Sequence, residues 1–178
     1  MATPISLGKV VVATAGTPVQ LGVTSLNGGI TAVATALTVT SFNGIPPIGT
    51  LFQIDGEQVL LTGLSGGNLN WTIQRGMNGT TPAAHLTAAP VTALLALTHL
   101  TASVVAGLTG KCYLGMAGLN KATFAGVIKE FWPNTGTGAD DSITLPVLTR
   151  ERYNLTDFWI DVAVSGEALI ISGSVSPL

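Results

Sequence analysis

The residues in this chain that could do chemistry are few, and most stand alone. Asp55 and Glu57 flank Gly56. Two carboxylates so close could divide acid and base work between them. Asp-Gly is also a hairpin turn pair, and the reading of both carboxylates as exposed turn residues outweighs catalysis. Asp140-Asp141 lies beside a Gly/Thr-rich loop and could meet a cation. Calcium, however, takes about six to eight oxygens, and a spaced run of acidic ligands is absent, so a solvated loop is the better reading. His85 and His99 are the two histidines, and neither has a partner at H-E-x-x-H spacing. No G-x-S-x-G surrounds any serine, and no Gly-Lys-Ser/Thr follows Gly66-Gly67 to make a phosphate loop. The single cysteine, Cys112, can form neither an internal disulfide nor a cysteine metal site. In the strand-like run Lys111 to Leu114 it reads as a small buried apolar residue. Trp71, Trp132 and Trp159 lack the interleaved basic residues that base stacking requires, so packing in a core or interface is expected for all three. The expectation is a protein without catalytic residues, cofactor or metal.

Arg75 and His85 have a structural reading. Arg75 ends an apolar-patterned strand, where its guanidinium can hold loop carbonyls or the carboxylates of Asp55 and Glu57. His85, ten residues on, can close the intervening loop by hydrogen bonding to backbone. Together they would pin a segment with no secondary structure of its own.

The elements that would position these residues are strands. From Thr38 to Val91, strand-like runs alternate with turn signals. Leu51 to Asp55 turns at Asp55-Gly56 into the return strand Glu57 to Thr62, and Ser65-Gly66-Gly67-Asn68 is the next turn. Leu69, Trp71 and Ile73 then alternate with Asn70, Thr72 and Gln74, which assigns the two sets to opposite faces of a strand. Asn43-Gly44 and Asp55-Gly56 supply the positive φ of tight turns. Pro46-Pro47 has no N–H for a ladder and is kept out of any central strand. Further on, Phe158, Ile160, Val162 and Val164 alternate with Trp159, Asp161 and Ala163, and Ser165-Gly166-Glu167 turns into a last strand, Ala168 to Ser172. Pro146 in Ser142 to Leu148 marks an edge strand. No stretch carries a long amphipathic helix.

The fold expected is all-β: an antiparallel, jelly-roll-like β-sandwich with a small β-barrel-like module inserted in an early loop. Residues 1–8 form an N-terminal arm, which either lies over a neighbouring subunit or is disordered. Residues 9–29 and 98–178 form the discontinuous sandwich, and residues 30–97 the insert.

Composition narrows the function classes. Of 178 residues only 9% are charged, against roughly 25% in an average soluble domain. No charge falls between Lys9 and Asp55 or between Arg75 and Lys111, and the mean hydropathy is +0.54. Such a chain either sits in a membrane or is covered by other proteins. Its most apolar window, Leu86 to Leu108, is long enough to span a bilayer. Pro90, His99, recurrent Thr and the lack of basic flanks argue against a membrane span. The start, MATPISLG, shows no secretory signal, and a net charge of −2 offers no field for nucleic acid.

A resemblance joins these observations. Ile54-Asp55-Gly56-Glu57-Gln58-Val59, then Trp71 to Gly76, then Asn78-Gly79-Thr80 and Ala84-His85, resembles a small β module of tailed-bacteriophage virion proteins. In that module an I-D-x-E hairpin precedes T-V-x-R-G-x-x-G-T…A-H. The flanks, Val12 to Leu21, Gly110 to Gly115, Leu155 to Asp161 and Ser165-Gly166-Glu167, are similar to small phage β-sandwich proteins that read TAGTPVQL…G-x-VYVG…IYVD…GEG. Here Cys112 and Leu114 stand where valines are usual, and Ala168 replaces the last glycine. The resemblance implies a non-enzymatic virion protein. Its first reading is a capsid decoration (cement) protein on the outer capsid surface, bound to the major capsid protein and homo-oligomeric, with a trimer favoured. A tail, neck or baseplate protein, which could bind a receptor, is the alternative. Candidate subunit contacts are Met1, Pro4, Ile5 and Leu7 in the arm, and Phe131, Trp132 and Asn134 in the loop from Phe131 to Asp141. A carbohydrate-acting or lectin-like module would instead join Asp55, Glu57 and a tryptophan in one pocket.

Overall fold

A computed structural model describes residues 3–133, 142–146 and 153–175. Apart from two short 3-10 turns, the regular structure of the described residues is all strand: β1 (Thr3–Val11), β2 (Val19–Gln20), β3 (Val23–Ser25), β4 (Ala36–Thr38), β5 (Leu51–Ile54), β6 (Glu57–Ser65), β7 (Asn70–Gln74), β8 (Pro90–Ala93), β9 (Ala96–Val104), β10 (Cys112–Asn120), β11 (Ala125–Phe131), β12 (Ser142–Pro146), β13 (Tyr153–Asn154), β14 (Phe158–Val162) and β15 (Ala168–Val175). Every strand pairing among the described residues is antiparallel. The chain divides into two compact units, Met1–Leu21 with Ala96–Leu178, and Gly22–Leu95.

The first unit is the sandwich. One sheet runs β1-β15-β9-β12, with β13 also on β9, and the other runs β11-β10-β14-β2. The alternation read in β14 turns Phe158, Ile160 and Val162 inward, where they are buried with Leu97, Leu100, Ala102, Leu114, Phe131, Leu169 and Ile171. The Cys112 thiol of one sheet reaches Ala168 O of the other. The strand stops at Val162, and Val164 is exposed in the bend that follows. Among the described residues β12 pairs with β9 alone, which makes the strand carrying Pro146 an edge there.

Two boundaries differ from the expectation. The arm does not hang loose: Thr3–Val11 is a full strand on β15, with an irregularity between Ser6 and Gly8 where Gly8 takes φ 66°. Its backbone groups find ladder partners although its sequence has no clear alternation. The insert is also larger, running from Gly22 to Leu95 rather than 30–97. Val23–Ser25 belongs to it because that strand pairs with β8, while Leu97 pairs in the sandwich.

The second unit is the barrel. Its sheet runs β3-β8-β5-β6-β7-β4, and the two end strands then meet. Leu26 bridges Val39, Asn27 N donates to Thr38 O at 2.8 Å, and Thr40 N donates to Ser25 O at 2.9 Å. The sheet closes on itself. Leu26, Leu37, Val39, Phe52, Ile54, Val59, Leu61, Trp71, Ile73 and Val91 fill it, and Trp71 packs on Phe52 with ring centroids 4.7 Å apart. Leu69, expected beside Trp71, lies in the preceding turn and is partly exposed. Leu86 to Leu108, the apolar window, runs through β8 and β9, and no described helix is long and apolar enough to cross a membrane.

Candidate functional site

The ionic residues of the barrel gather at one place, the end that carries the Asp55-Gly56 turn. Glu57 opens β6 with its side chain on the same face as Val59 and Leu61, and so it points inward. It is 1% exposed, which corrects the expectation of an exposed turn residue. Parity was the signal for this: in a strand, residues two apart share a face.

A buried carboxylate must be matched, and this one is. Oε1 accepts from Arg75 Nε at 2.8 Å and Gly76 N at 3.2 Å. Oε2 accepts from Arg75 Nη2 at 2.5 Å and Ala83 N at 3.0 Å, and His85 Nε2 lies 3.0 Å away. Burial by itself would raise the Glu57 pKa. The Arg75 guanidinium, the Ala83 N–H, His85 and the Gly76 N–H outweigh it and hold the pKa at about 2.

Arg75 uses all five of its N–H groups. Besides Nε and one Nη2 hydrogen on Glu57, Nη1 donates to Thr31 O at 2.7 Å and Ala34 O at 3.3 Å, and Nη2 donates to Ala83 O. One guanidinium therefore ties the 31–34 turn and the 76–85 loop to the base of β6. His85 Nδ1 lies 2.7 Å from Asp55 Oδ2, so the ring stands between two carboxylates. Sequence reasoning expected the ring to meet backbone. Instead the backbone of His85 pairs with Ile30, N to O at 3.0 Å and O to N at 2.9 Å, and leaves the ring to the acids.

The loop between Arg75 and His85 is fixed at its turns as well. Gly76 takes φ 64°, and a Cβ there would stand 3.0 Å from Thr80 O and 3.1 Å from Pro82 Cδ, so only glycine fits. Gln58 N donates to Thr80 Oγ1 at 3.0 Å, and Asn78 Nδ2 donates to Gln58 Oε1 at 2.7 Å. What the arrangement does chemically is hold still. Both Glu57 oxygens are committed to donors, and Trp71 lies with Phe52 and Phe42 rather than beside the acids.

The remaining candidates are scattered. Phe131 is buried in the sandwich core and Leu7 is buried too, so neither offers its side chain to a partner. Pro4 is exposed and Ile5 half-buried, both within β1. Trp132 is 58% exposed, with Lys111 Nζ 3.6 Å from its ring centre. Met1, Asn134 and Asp140-Asp141 lie outside the described residues. Burial and the nearby Glu167 charge push the Cys112 thiol up to about 12, well away from a nucleophile's range. His99 Nδ1 contacts Ser174 Oγ at 2.7 Å.

Two buried acids in the sandwich were missed by sequence reasoning. Asp161 Oδ1 accepts from Gly16 N at 2.9 Å, and Oδ2 is 3.5 Å from Lys121 Nζ. Gly16, Lys121 and Asp161 sit at an open hollow of about 240 Å³ that Pro18 and Leu119 help to line. Glu167 Oε1 accepts from Thr109 N at 2.6 Å and Gly110 N at 2.7 Å. Among the described residues no group of three or more His, Cys, Asp or Glu is placed to hold a metal ion. No protein family, curated protein or solved structure matches the chain.

Proposed function

We propose that the chain is a non-enzymatic structural subunit of a tailed-phage virion: a decoration (cement) protein on the outer capsid surface, bound to the major capsid protein and assembled as a homotrimer. The observation that carries this reading is the distribution of charge in the barrel. Between Gly22 and Leu95 the charged residues are Asp55, Glu57 and Arg75, and two of these are buried against each other. A surface so poor in ions is suited to being covered, and shell contacts act by area and fit rather than by reactive groups. The resemblance of the Ile54–His85 segment to phage virion modules points the same way, and the Glu57–Arg75–His85 cluster, a clasp in which both Glu57 oxygens are taken, favours a mechanical role over a catalytic one. Exposed Trp132 and Phe124 are the features that a tail or baseplate protein binding a receptor would use.

The test is to locate the chain in purified virions by gold-labelled antibody and to count copies per particle. Label over the whole head, at a copy number comparable with the capsid subunit, supports decoration. Label confined to the tail or neck transfers the chain to the second reading, and its absence from particles overturns both.

A further inference from the structure

Each ring nitrogen of His85 faces an acid. Nδ1 lies 2.7 Å from Asp55 Oδ2, and Nε2 lies 3.0 Å from Glu57 Oε2. An ionised carboxylate only accepts hydrogen bonds, and a neutral imidazole has a single N–H. A neutral ring would therefore answer one acid and turn a lone pair on the other. It has no other place to go, because its backbone is paired with Ile30 and its side chain is 2% exposed.

The second proton has few places to sit. The ionisable side chains between Gly22 and Leu95 are Asp55, Glu57, Arg75 and His85, with no lysine, tyrosine or cysteine among them. Glu57, at the start of β6, has a pKa of about 2 and stays ionised. Arg75, at the end of β7, is always charged and gives Nε and an Nη2 hydrogen to Glu57. The 30–34 turn and β8 bring no ionisable group. Asp55, in the β5–β6 turn, is the one competitor, and a carboxylate is a much weaker base than an imidazole. The proton belongs on the ring.

We infer that His85 is a proton-operated latch: as an imidazolium it ties the Asp55 turn to the buried Glu57, and on losing one proton it lets Asp55 go and keeps Glu57. Burial decides which acid is released. Glu57 is 1% exposed and is also held by Arg75, Gly76 and Ala83. Asp55 is 55% exposed at its side chain, so its carboxylate can exchange the ring for water. The hydrogen that remains therefore sits on Nε2. With the ring protonated, the two acids, Arg75 and His85 sum to zero charge. After release, the exposed turn carries a negative charge without a partner. The latch is closed on the acid side of the histidine range, about pH 5 to 8, and open on the alkaline side. That is the opposite sense to Glu57, whose own contribution is lost only towards pH 2. The inference goes beyond the shell reading and does not need it, since it concerns the purified chain alone.

The test is nitrogen-15 NMR of the full-length chain, labelled at its histidine rings and its aspartate carboxyls, from about pH 5 to about pH 9. The chain has two histidines, so His99→Gln leaves the His85 ring alone in the spectrum. The expected result is two N–H groups on this ring at pH 5 and one, on Nε2, at pH 9, with the Asp55 carboxyl carbon shifting in the same step. Asp55→Asn should move the proton loss to lower pH, because the amide can donate to a bare Nδ1. A ring with one N–H already at pH 5 overturns the inference. A hydrogen kept on Nδ1, or an Asp55 carboxyl indifferent to the ring, overturns it as well. If His99→Gln fails to fold, wild type beside Asp55→Asn decides: one of the two histidine signals should move, and two unmoved signals refute the latch. Localisation in the virion is read separately, so either claim can fail without the other.

Discussion

Glu57 concentrates the electrostatics of the barrel in one side chain. Its pKa is about 2 in the folded protein against 4.5 for the free group. The carboxylate therefore contributes stability that is complete above about pH 4.5, declines as the pH falls towards 2, and is absent below it, worth roughly 2–3 kcal/mol in all. Glu57→Gln should cost about 3–5 kcal/mol at neutral pH, because it leaves the buried Arg75 charge without its counterion. The variant should also lose the part of the acid dependence that belongs to this group. Urea unfolding midpoints between pH 2 and pH 7 read both effects, and parallel curves for wild type and variant would refute the assignment. Sequence reading reached the partners of this cluster but not its burial. Arg75 and His85 stand out as lone polar side chains of their kind in a stretch of Thr, Gly and Ala, whereas Glu57 beside Asp-Gly reads first as a turn residue. Its parity with Val59 and Leu61 carries the opposite message, and the structure follows parity.

At the scale of elements, β14 is the strand whose alternation was plainest and whose packing is most complete. Phe158 is fully buried, with the Tyr153 ring 5.6 Å away. Phe158→Ala should destabilise the sandwich by about 3–5 kcal/mol. Ile170→Ala, on the outward face of β15, should stay within about 0.5 kcal/mol. Thermal or denaturant unfolding checks the pair, and equal effects would mean that the face assignment is wrong. Hairpins such as β5–β6 were legible because their turn residues and their registers are local. Two features were not. β1 lacks alternation and pairs with β15 from the opposite end of the chain. The β3–β4 closure is made by Ser, Thr and a single Leu–Val bridge, residues that would read equally well as a loop. Distance along the chain and weak periodicity hide the same kind of contact.

For the whole molecule, the two units differ in how they treat their borders. The barrel begins and ends at one place, since Ala93 N donates to Gly22 O at 2.7 Å, and its core is its own. Residues 22–95, excised as a peptide, should therefore fold alone, with a cooperative melting transition and dispersed amide resonances. A peptide without structure would show that the barrel borrows stability from the rest of the chain. Among the described residues the sandwich keeps open borders, with β1 and β12 at the ends of one sheet and β11 and β2 at the ends of the other. The barrel keeps none. Closed into a ring, it offers no free row of amides for a neighbour's backbone to extend. Any grip it takes on another molecule must be made by side chains, and a grip of that kind can let go without seeding a fibre.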